Sequence, residues 1–292
     1  MRKWFIRIYT GLRKRVDKKN RRKWQLIHKY HITRGRMPDF DNPSDFSEYI
    51  MAGILYERND EFGVYADKVI VKDYVESKGL KEIVPQCLGV WDSASQIDYD
   101  VLPEKFALKI NHGRGYNLFC RDKAAFDKKQ AQLKLDDWLN RTYSTLETHY
   151  ELIEPKIFAE EFIDDNSGRL PVDYRIYCFN GKPDIIDCTV YEIDDRPETF
   201  RHYKFDSDWN YLQHYDTIVY DDYEECLPRP KNLEKMLQYA AILSEDFEFV
   251  RVDLYDTGDK VYFGELTFTP SAGIFQSFSD LAMREMYQKL KE

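Results

Sequence analysis

The stretch Val250-Arg-Val-Asp-Leu-Tyr-Asp-Thr-Gly-Asp-Lys-Val-Tyr-Phe-Gly-Glu-Leu-Thr-Phe-Thr-Pro-Ser-Ala-Gly273 decides the fold. Apolar and polar residues alternate on either side of Thr257-Gly258-Asp259, the pattern of two strands joined by a tight turn. Side chains alternate between faces along a strand, so Arg251 shares a face with Asp253, and Glu265 shares one with Thr267. A hairpin of this kind aims a cation, two carboxylates and a hydroxyl into one cleft. Paired carboxylates repel unless a cation lies between them, and hard oxygen donors suit Mg²⁺ carrying phosphates. The competing reading of these residues alone is an ordinary hairpin with a polar, solvated face.

A chain of 292 residues with 43% hydrophobic and 15% aromatic content has ample material for a large core, in one large unit or several packed units. Its five cysteines, Cys87, Cys120, Cys178, Cys188 and Cys226, are odd in number and form no C-x-x-C pair. That usage predicts free, mostly buried thiols in a reducing compartment rather than a disulfide framework or a zinc site. No apolar run approaches the roughly 20 residues of a membrane span. Arg7 and Arg13 interrupt the N-terminal stretch before a signal-peptide core can form, so the expected location is cytoplasmic.

The net charge of −9 is unevenly spread. Residues 1–36 hold 14 Lys and Arg against one acid, Asp17, a balance of +13, which leaves −22 for the other 256 residues. Trp4, Phe5, Ile8, Tyr9, Leu12 and Val16 fall on one helical face among the basic residues. Such an arm fits an anionic membrane surface, at roughly 1 kcal/mol per basic residue. Docking on the acidic body of the chain itself fits equally well. Nucleic acid is disfavoured, because the basic region is short and no recognised binding module follows it.

Further along, helical spacing is expected around Asn20 to Tyr30, from Asp45 through Glu57, and over Asp67 to Lys78 with Gly79 as its cap. Ile83 to Trp91 reads as a strand near an edge, because Pro85 interrupts it. Phe106 to Ile110 is a short strand, residues 123–140 a helix, and Lys156 to Ile163 another strand. Tyr174 to Tyr191 is expected to be a hairpin turning at Asn180-Gly181. Leu233, Met236, Leu237, Ala240, Ala241 and Ser244 mark one face of a helix. Helices mingled with antiparallel hairpins make the class α+β.

Several short features share the chemistry of holding a nucleoside triphosphate. Lys109 lies on a strand that runs into His112-Gly113-Arg114-Gly115, whose glycines let backbone N–H groups approach phosphate oxygens. The Walker A pattern is absent. Lys68, in Ala66-Asp-Lys-Val69, starts a helix from which its side chain can reach a phosphate. Glu160 and Glu161 close the strand that leads to Ile163, where a carboxylate and backbone groups can read an adenine edge. Asp173 lies ten residues beyond, at a position that a chain reversal brings to a ribose hydroxyl. Each acid or lysine, taken singly, reads equally as a solvated side chain.

Taken in order, Lys68, Lys109 with its glycine loop, Glu160-Glu-Phe-Ile163, Asp173, Arg251-x-Asp253 and Glu265-x-Thr267 resemble the ATP-grasp superfamily. The closing segment looks like that of D-alanine–D-alanine ligases, including Pro270 and Gly273. More closely, Asp67-Lys68, Lys109-Ile-Asn-His-Gly-Arg-Gly-Tyr-Asn117, Phe179-Asn-Gly-Lys-Pro183, Phe249-Val-Arg-Val-Asp-Leu-Tyr255 and Gly264-Glu-Leu-Thr-Phe268 are similar to the TupA-like ATP-grasp family of bacterial surface-polysaccharide loci. The resemblance covers residues from about 40 to 280. It implies an ATP-grasp fold of mixed and antiparallel sheets with ATP held between two α+β subdomains. The implied divisions are a basic arm (1–36), an N-terminal subdomain (37–104), a small glycine-loop subdomain (105–163) and a C-terminal metal-binding subdomain (164–292).

The resemblance also implies roles. Lys68 and Lys109 would take the ATP phosphates under the loop of His112, Gly113, Arg114 and Gly115. Glu160, Glu161 and Ile163 would form the adenine hinge, with Asp173 near the ribose. Asp253, Glu265 and Thr267 would hold Mg²⁺, although many superfamily members carry Asn where Thr267 stands. Arg251 would stabilise the transferring phosphoryl group. Arg175, Arg201, His202 and Lys204 match no pattern of the family; they are candidates for an anionic substrate, with a solvated surface as the competing reading, and Arg175 is placed with Arg251 and Lys109 in the catalytic set. The implied reaction joins a carboxylate to an amine through an acyl phosphate. The expected partners are a uronic-acid carboxylate of a surface polysaccharide or its precursor and an amino acid. Glycosyl transfer and a silent binding module are the rival readings; no D-x-D falls at a convincing strand end, and Lys68, Lys109, Asp253 and Glu265 are intact.

Overall fold

The computed structural model describes residues 18–58, 60–113, 115–141, 146–191 and 200–292; Arg114 and the first seventeen residues of the basic arm lie outside them. The longer helices are α1 (Lys18–Arg34), α2 (Phe46–Leu55), α3 (Val71–Ser77), α4 (Lys128–Leu139), α5 (Leu233–Ser244) and α6 (Asp280–Lys289). The strands are β1 (Cys87–Trp91), β2 (Phe106–Ile110), β3 (Asn117–Cys120), β4 (Ile157–Glu161), β5 (Asp173–Phe179), β6 (Lys182–Tyr191), β7 (Phe200–Asp206), β8 (Phe249–Asp256) and β9 (Val261–Thr267). They form two antiparallel sheets, a four-stranded one in the order β1-β4-β2-β3 and a five-stranded one in the order β7-β6-β5-β8-β9. The α+β expectation holds. The small sheet takes its edge strand β1 from upstream of residue 105, as Pro85 suggested.

The five-stranded sheet has two unlike faces. Tyr174, Ile176 and Cys178 of β5, Ile186 and Cys188 of β6, Tyr203 and Phe205 of β7, and Val250, Val252 and Leu254 of β8 are buried together with Leu233, Met236, Ala240 and Leu243 of α5. Alternation sends Asp173, Arg175 and Tyr177, Asp187 and Thr189, His202 and Lys204, and Arg251 and Asp253 to the other face.

Register decides which residues meet there. Asn180 and Gly181 have φ of 49° and 75°, the left-handed pair that a tight two-residue hairpin needs, and Phe179 pairs with Lys182. A bulge at Tyr177/Cys178 then shifts the pairing by one residue, so that Arg175 faces Asp187. Pro183, which has no N–H to give the ladder, lies in the shifted segment. A second bulge at Asp253/Leu254 lets Gly264 slip in opposite; a Cβ there would lie 2.9 Å from the Asp253 carbonyl oxygen.

Two further cores complete the molecule. In the small sheet, Phe106, Leu108, Ile110, Ile157 and Ala159 pack on Leu135 of α4, which begins five residues later than expected because Asp127 caps it by accepting from the Gln130 N–H at 2.9 Å. At the far end, α2 packs against α6 and the Pro270–Gly273 turn. Ser271 and Ala272 there hold φ of 53° and 51°, and a Cβ on Gly273 would lie 2.8 Å from Met51 Cγ.

The second piece of the basic arm docks on the body of the chain. Leu26 and Tyr30 of α1 are fully buried in the α2/α6 core. The Tyr30 hydroxyl donates to Asp45 at 2.7 Å, Arg22 pairs with Glu57 at 3.0 Å, and Arg34 donates to the carbonyls of Phe275 and Phe278. Trp24, Ile32 and Met37 remain exposed on the outside. Among the described residues, no helix is long and apolar enough to cross a membrane. Cys120, Cys178 and Cys188 are buried free thiols, while Cys87 and Cys226 are exposed. Because α1 belongs to this core, Leu26→Ala should lower stability by about 2–5 kcal/mol. Urea unfolding checks this; a loss below about 0.5 kcal/mol would mean the helix is only a surface appendage.

Candidate nucleotide and metal site

A cleft of about 710 Å³ opens between the small sheet and the polar face of the large one. Lys68, Lys109, Gly113, Gly115, Glu160, Glu161, Ile163, Asp173, Arg175, Arg251, Asp253 and Glu265 all line it. Residues scattered over nearly two hundred positions therefore meet at one place.

The glycine-loop side is built around Asn111. Its buried side-chain amide donates to Asp67 at 2.9 Å and to the Glu154 carbonyl at 3.0 Å, and its side-chain oxygen accepts from the Lys156 N–H at 2.8 Å. The Asn111 carbonyl also accepts from the Lys68 N–H at 3.0 Å. Asp67-Lys68 and Lys109-Ile-Asn111 are thus one construction in space. Gly113 and Gly115 carry φ of 73° and 77°, a conformation open to glycine at little cost. Tyr116 stacks on Trp138 with ring centroids 5.4 Å apart, which anchors the loop to α4. His112 is buried and does not line the cleft; burial lowers its pKa, and its Nδ1 has no partner in the structure.

Glu160 and Glu161 part company. Glu160 is buried and paired with Lys109 and, at 3.0 Å, with Lys72 of α3. Burial works against its charge, but the two lysines outweigh it and lower its pKa. The Glu160 carboxylate therefore organises cations rather than standing open to an adenine amino group. Glu161 accepts from the Gln86 N–H at 2.8 Å and gives its own N–H to the Gln86 carbonyl at 3.0 Å, which fixes the edge strand. Lys72 was not foreseen; on its own helix it reads as one more solvated lysine.

The hairpin side matches its expected register. Arg251 lies opposite Thr267, and Asp253 opposite Glu265. Arg251 grips Asp253 through Nε at 2.7 Å and Nη2 at 2.5 Å, donates to Thr267 Oγ1 at 3.1 Å and reaches Glu265 at 3.4 Å. Thr267 donates in turn to Glu265 at 3.2 Å, so its hydroxyl sits beneath the carboxylates instead of on the cleft wall. Lys68 bridges the two sides, with Nζ 3.0 Å from Glu265 and 2.5 Å from the Gly113 carbonyl. Burial would raise the Glu265 pKa, but Lys68 and Arg251 hold it at about 2. Burial, reinforced by Asp173 and Glu265, pushes Asp253 up to about 7 despite Arg251.

On β5, Arg175 donates to Asp173 Oδ2 at 2.8 Å, and the other oxygen, Oδ1, is buried without a partner. Lys204 is fully buried, paired with Asp216 and 3.9 Å from Asp187, and so is no surface residue. His202 lines the cleft, whereas Arg201 pairs with Asp222 at 2.8 Å on the opposite face. Asp187 and Thr189 also line the cleft and were not singled out from the sequence. The signal for them lay in the Asn180-Gly181 hairpin, but the bulge that turns Asp187 toward Arg175 has no clear mark beyond Pro183.

The donor set fits a hard divalent cation. Asp253 and Glu265 offer only oxygen to the cleft, without Thr267, whose hydroxyl lies beneath them, and Asp173 Oδ1 lacks a partner nearby. Among the described residues, no three His, Cys, Asp or Glu side chains are arranged as a metal cage. Mg²⁺ usually takes one or two carboxylates, as Asp253 and Glu265 offer on the cleft wall, and completes its shell with phosphate and water.

Solved structures similar to the chain include D-alanine–D-alanine ligase from Bacillus anthracis, at 15% identity over 78% of this chain and 66% of that one, with a TM-score of 0.44. The ATP-grasp ligase PsnB complexed with minimal precursor follows at 11% over 85% and 63%, TM-score 0.39. Macrocyclase MdnC bound with precursor peptide MdnA from Microcystis aeruginosa MRC stands at 11% over 77% and 61%, TM-score 0.38. The chain spans just under two thirds of the length of these structures. No curated protein matches it. The family model for TupA-like ATPgrasp matches residues 48–288, which takes in the glycine loop, both sheets and the Arg251–Thr267 hairpin, and the chain belongs to that family.

Proposed function

We propose that the protein is an ATP-dependent carboxylate–amine ligase that joins an amino acid to a uronic-acid carboxylate of a surface polysaccharide or its precursor. The observation that carries this reading is the convergence of Lys68, Lys109, Arg251, Asp253 and Glu265 on one cleft in a TupA-like ATP-grasp chain. ATP-grasp ligases use ATP with Mg²⁺, and similar solved structures hold ATP or Mg and ADP.

The roles follow from charge and position. Lys68 and Lys109 bind the phosphates, Gly113 and Gly115 let the backbone approach them, and the Glu161–Ile163 segment with Leu170 and Pro171 receives the base. Asp173 takes a ribose hydroxyl on its free oxygen. Asp253 and Glu265 hold Mg²⁺, and Thr267 orients Glu265 and Arg251 from below. When bound, the cation neutralises charge on the phosphates as the γ-phosphoryl group moves to the acceptor carboxylate. Arg251 and Arg175 stabilise that group in flight. Activation is needed because a carboxylate is inert to amines, and phosphorylation supplies a leaving group. The loop over the cleft keeps water from the acyl phosphate.

The location we propose is the cytoplasmic face of a membrane, where lipid-linked glycans are assembled. Arg21, Lys23, Lys29, Trp24 and Ile32 are exposed on α1, so docking of its inner face on the body leaves a basic, partly apolar outer face for anionic lipid.

Phosphate release should require ATP, Mg²⁺, a uronate and an amino acid together. Release that depends on neither acceptor nor amine would contradict ligation. Asp253→Asn and Glu265→Gln should each cut turnover by about 10²-fold or more while the protein still melts cooperatively; full activity in both would remove the metal assignment. Removing residues 1–17, which spares Leu26 and Tyr30, should weaken flotation with phosphatidylglycerol vesicles without changing turnover of a soluble uronate. Unchanged flotation would sink the membrane role of that segment.

A further inference from the structure

One titratable group on the polar face is left unused by phosphate and metal handling. His202 of β7 points Nδ1 at the buried Asp187 of β6, 3.0 Å away, with Thr189 Oγ1 at 3.4 Å. Phe200 packs edge-on to the ring at 5.2 Å. Arg175 and Asp173 of β5 lie directly across from Asp187 and Thr189. Lys204, two residues along β7, is 3.9 Å from Asp187, covered by the Phe278 ring and paired with Asp216. With Nδ1 committed to a carboxylate, the neutral imidazole keeps its proton there and presents Nε2 as an acceptor. Among the described residues Nε2 makes no hydrogen bond, and the side chain lines the cleft.

Strand register sets Asp187 in line with the metal acids and His202 in the row beside it. Along β9-β8-β5-β6-β7 one row holds Glu265, Asp253, Arg175, Asp187 and Lys204, and the neighbouring row on the same face holds Asp173, Thr189 and His202. Neighbouring strands are about 4.8 Å apart, so His202 stands four strands, roughly 19 Å, from Glu265 and three strands, roughly 14 Å, from Asp253. That span holds, in succession, a phosphoryl group, the acyl carbon bonded to it and an incoming nitrogen.

We propose that His202 is the general base for the amine, with Asp187 as its positioning residue; this rests on the ligase reading above. An amino acid arrives as an ammonium ion and has no lone pair to attack with. One N–H proton passes to His202 Nε2. The freed pair forms the C–N bond to the acyl carbon while the C–O bond to phosphate breaks. Phosphate leaves with that electron pair and takes the second nitrogen proton, and His202 returns its own proton to water.

Hydroxylamine tests the idea, because it is largely unprotonated at neutral pH and needs no base. The uronate that gives most phosphate release among glucuronate, galacturonate and mannuronate is incubated with ATP, Mg²⁺ and either L-alanine or hydroxylamine. In His202→Ala the ratio of amide to hydroxamate should fall about 10²–10⁴-fold at pH 7 and recover at high pH or with added imidazole. Asp187→Asn should lower the same ratio and move its pH profile. An unchanged ratio in both variants overturns the proposal, as does equal loss of both products from protein that melts like the wild type. His202→Gln, which keeps a hydrogen-bonding side chain, serves if the alanine variant does not fold. A wild-type protein that yields neither product overturns the ligase reading itself, and the base with it.

Discussion

Buried charge is the constraint on which this structure depends. The polar face of the five-stranded sheet buries Arg251, Asp253, Asp173, Asp187 and Lys204 and half-buries Arg175 and Glu265, and an isolated ion buried there would cost many kcal/mol. It is tolerable only because each charge has an opposite partner: Lys204 with Asp187 and Asp216, Arg175 with Asp173 and Arg251 with Asp253 two residues apart on their own strands, and Lys68 with Glu265. Removing one partner of such a pair typically costs about 3–5 kcal/mol, because the other charge is stranded. The last pair also ties the two sheets together, since Lys68 comes from the glycine-loop side and Glu265 from the hairpin.

The same pairing prepares the proposed chemistry. Lys109 is held by Glu160, Lys68 by Glu265, and Asp253 by Arg251, so each candidate phosphate ligand and metal ligand already has a counter-ion of the kind that nucleotide and Mg²⁺ bring. On the proposed function, binding exchanges partners and adds little unpaired charge. Phosphates replace carboxylates on the lysines, and the metal replaces cations on the acids. Asn111 and the Pro270–Gly273 turn hold the two walls in place meanwhile, the first by side-chain hydrogen bonds and the second by close packing on α2.

How much of this was legible from residues alone varies with the physics involved. The β8–β9 hairpin was readable because strict alternation around a tight turn leaves one register, and Arg251, Asp253, Glu265 and Thr267 share a face as that register requires. Asn180-Gly181 marked the second hairpin for the same reason. Strand β3 was missed because four residues after a glycine loop carry too little periodicity. Strand β7 was missed because only Tyr203 and Phe205 alternate, and its inward partners, His202 and Lys204, read as surface. Lys204 is buried and His202 half-buried against Asp187 and Asp216, which are brought to them by a bulge and a loop. Lys72 and the ion pair at Glu160 depend on a contact between α3 and β4, across 88 positions, which no local pattern encodes.

The central claim is that the cleft binds a nucleotide through its lysines and its two hairpin carboxylates. Calorimetry of ATP binding with and without Mg²⁺, on the intact protein and on Lys109→Ala, tests it most directly. The account predicts Mg²⁺-dependent binding by the intact protein and its loss in the variant. Absence of binding by the intact protein, with or without Mg²⁺, would contradict it.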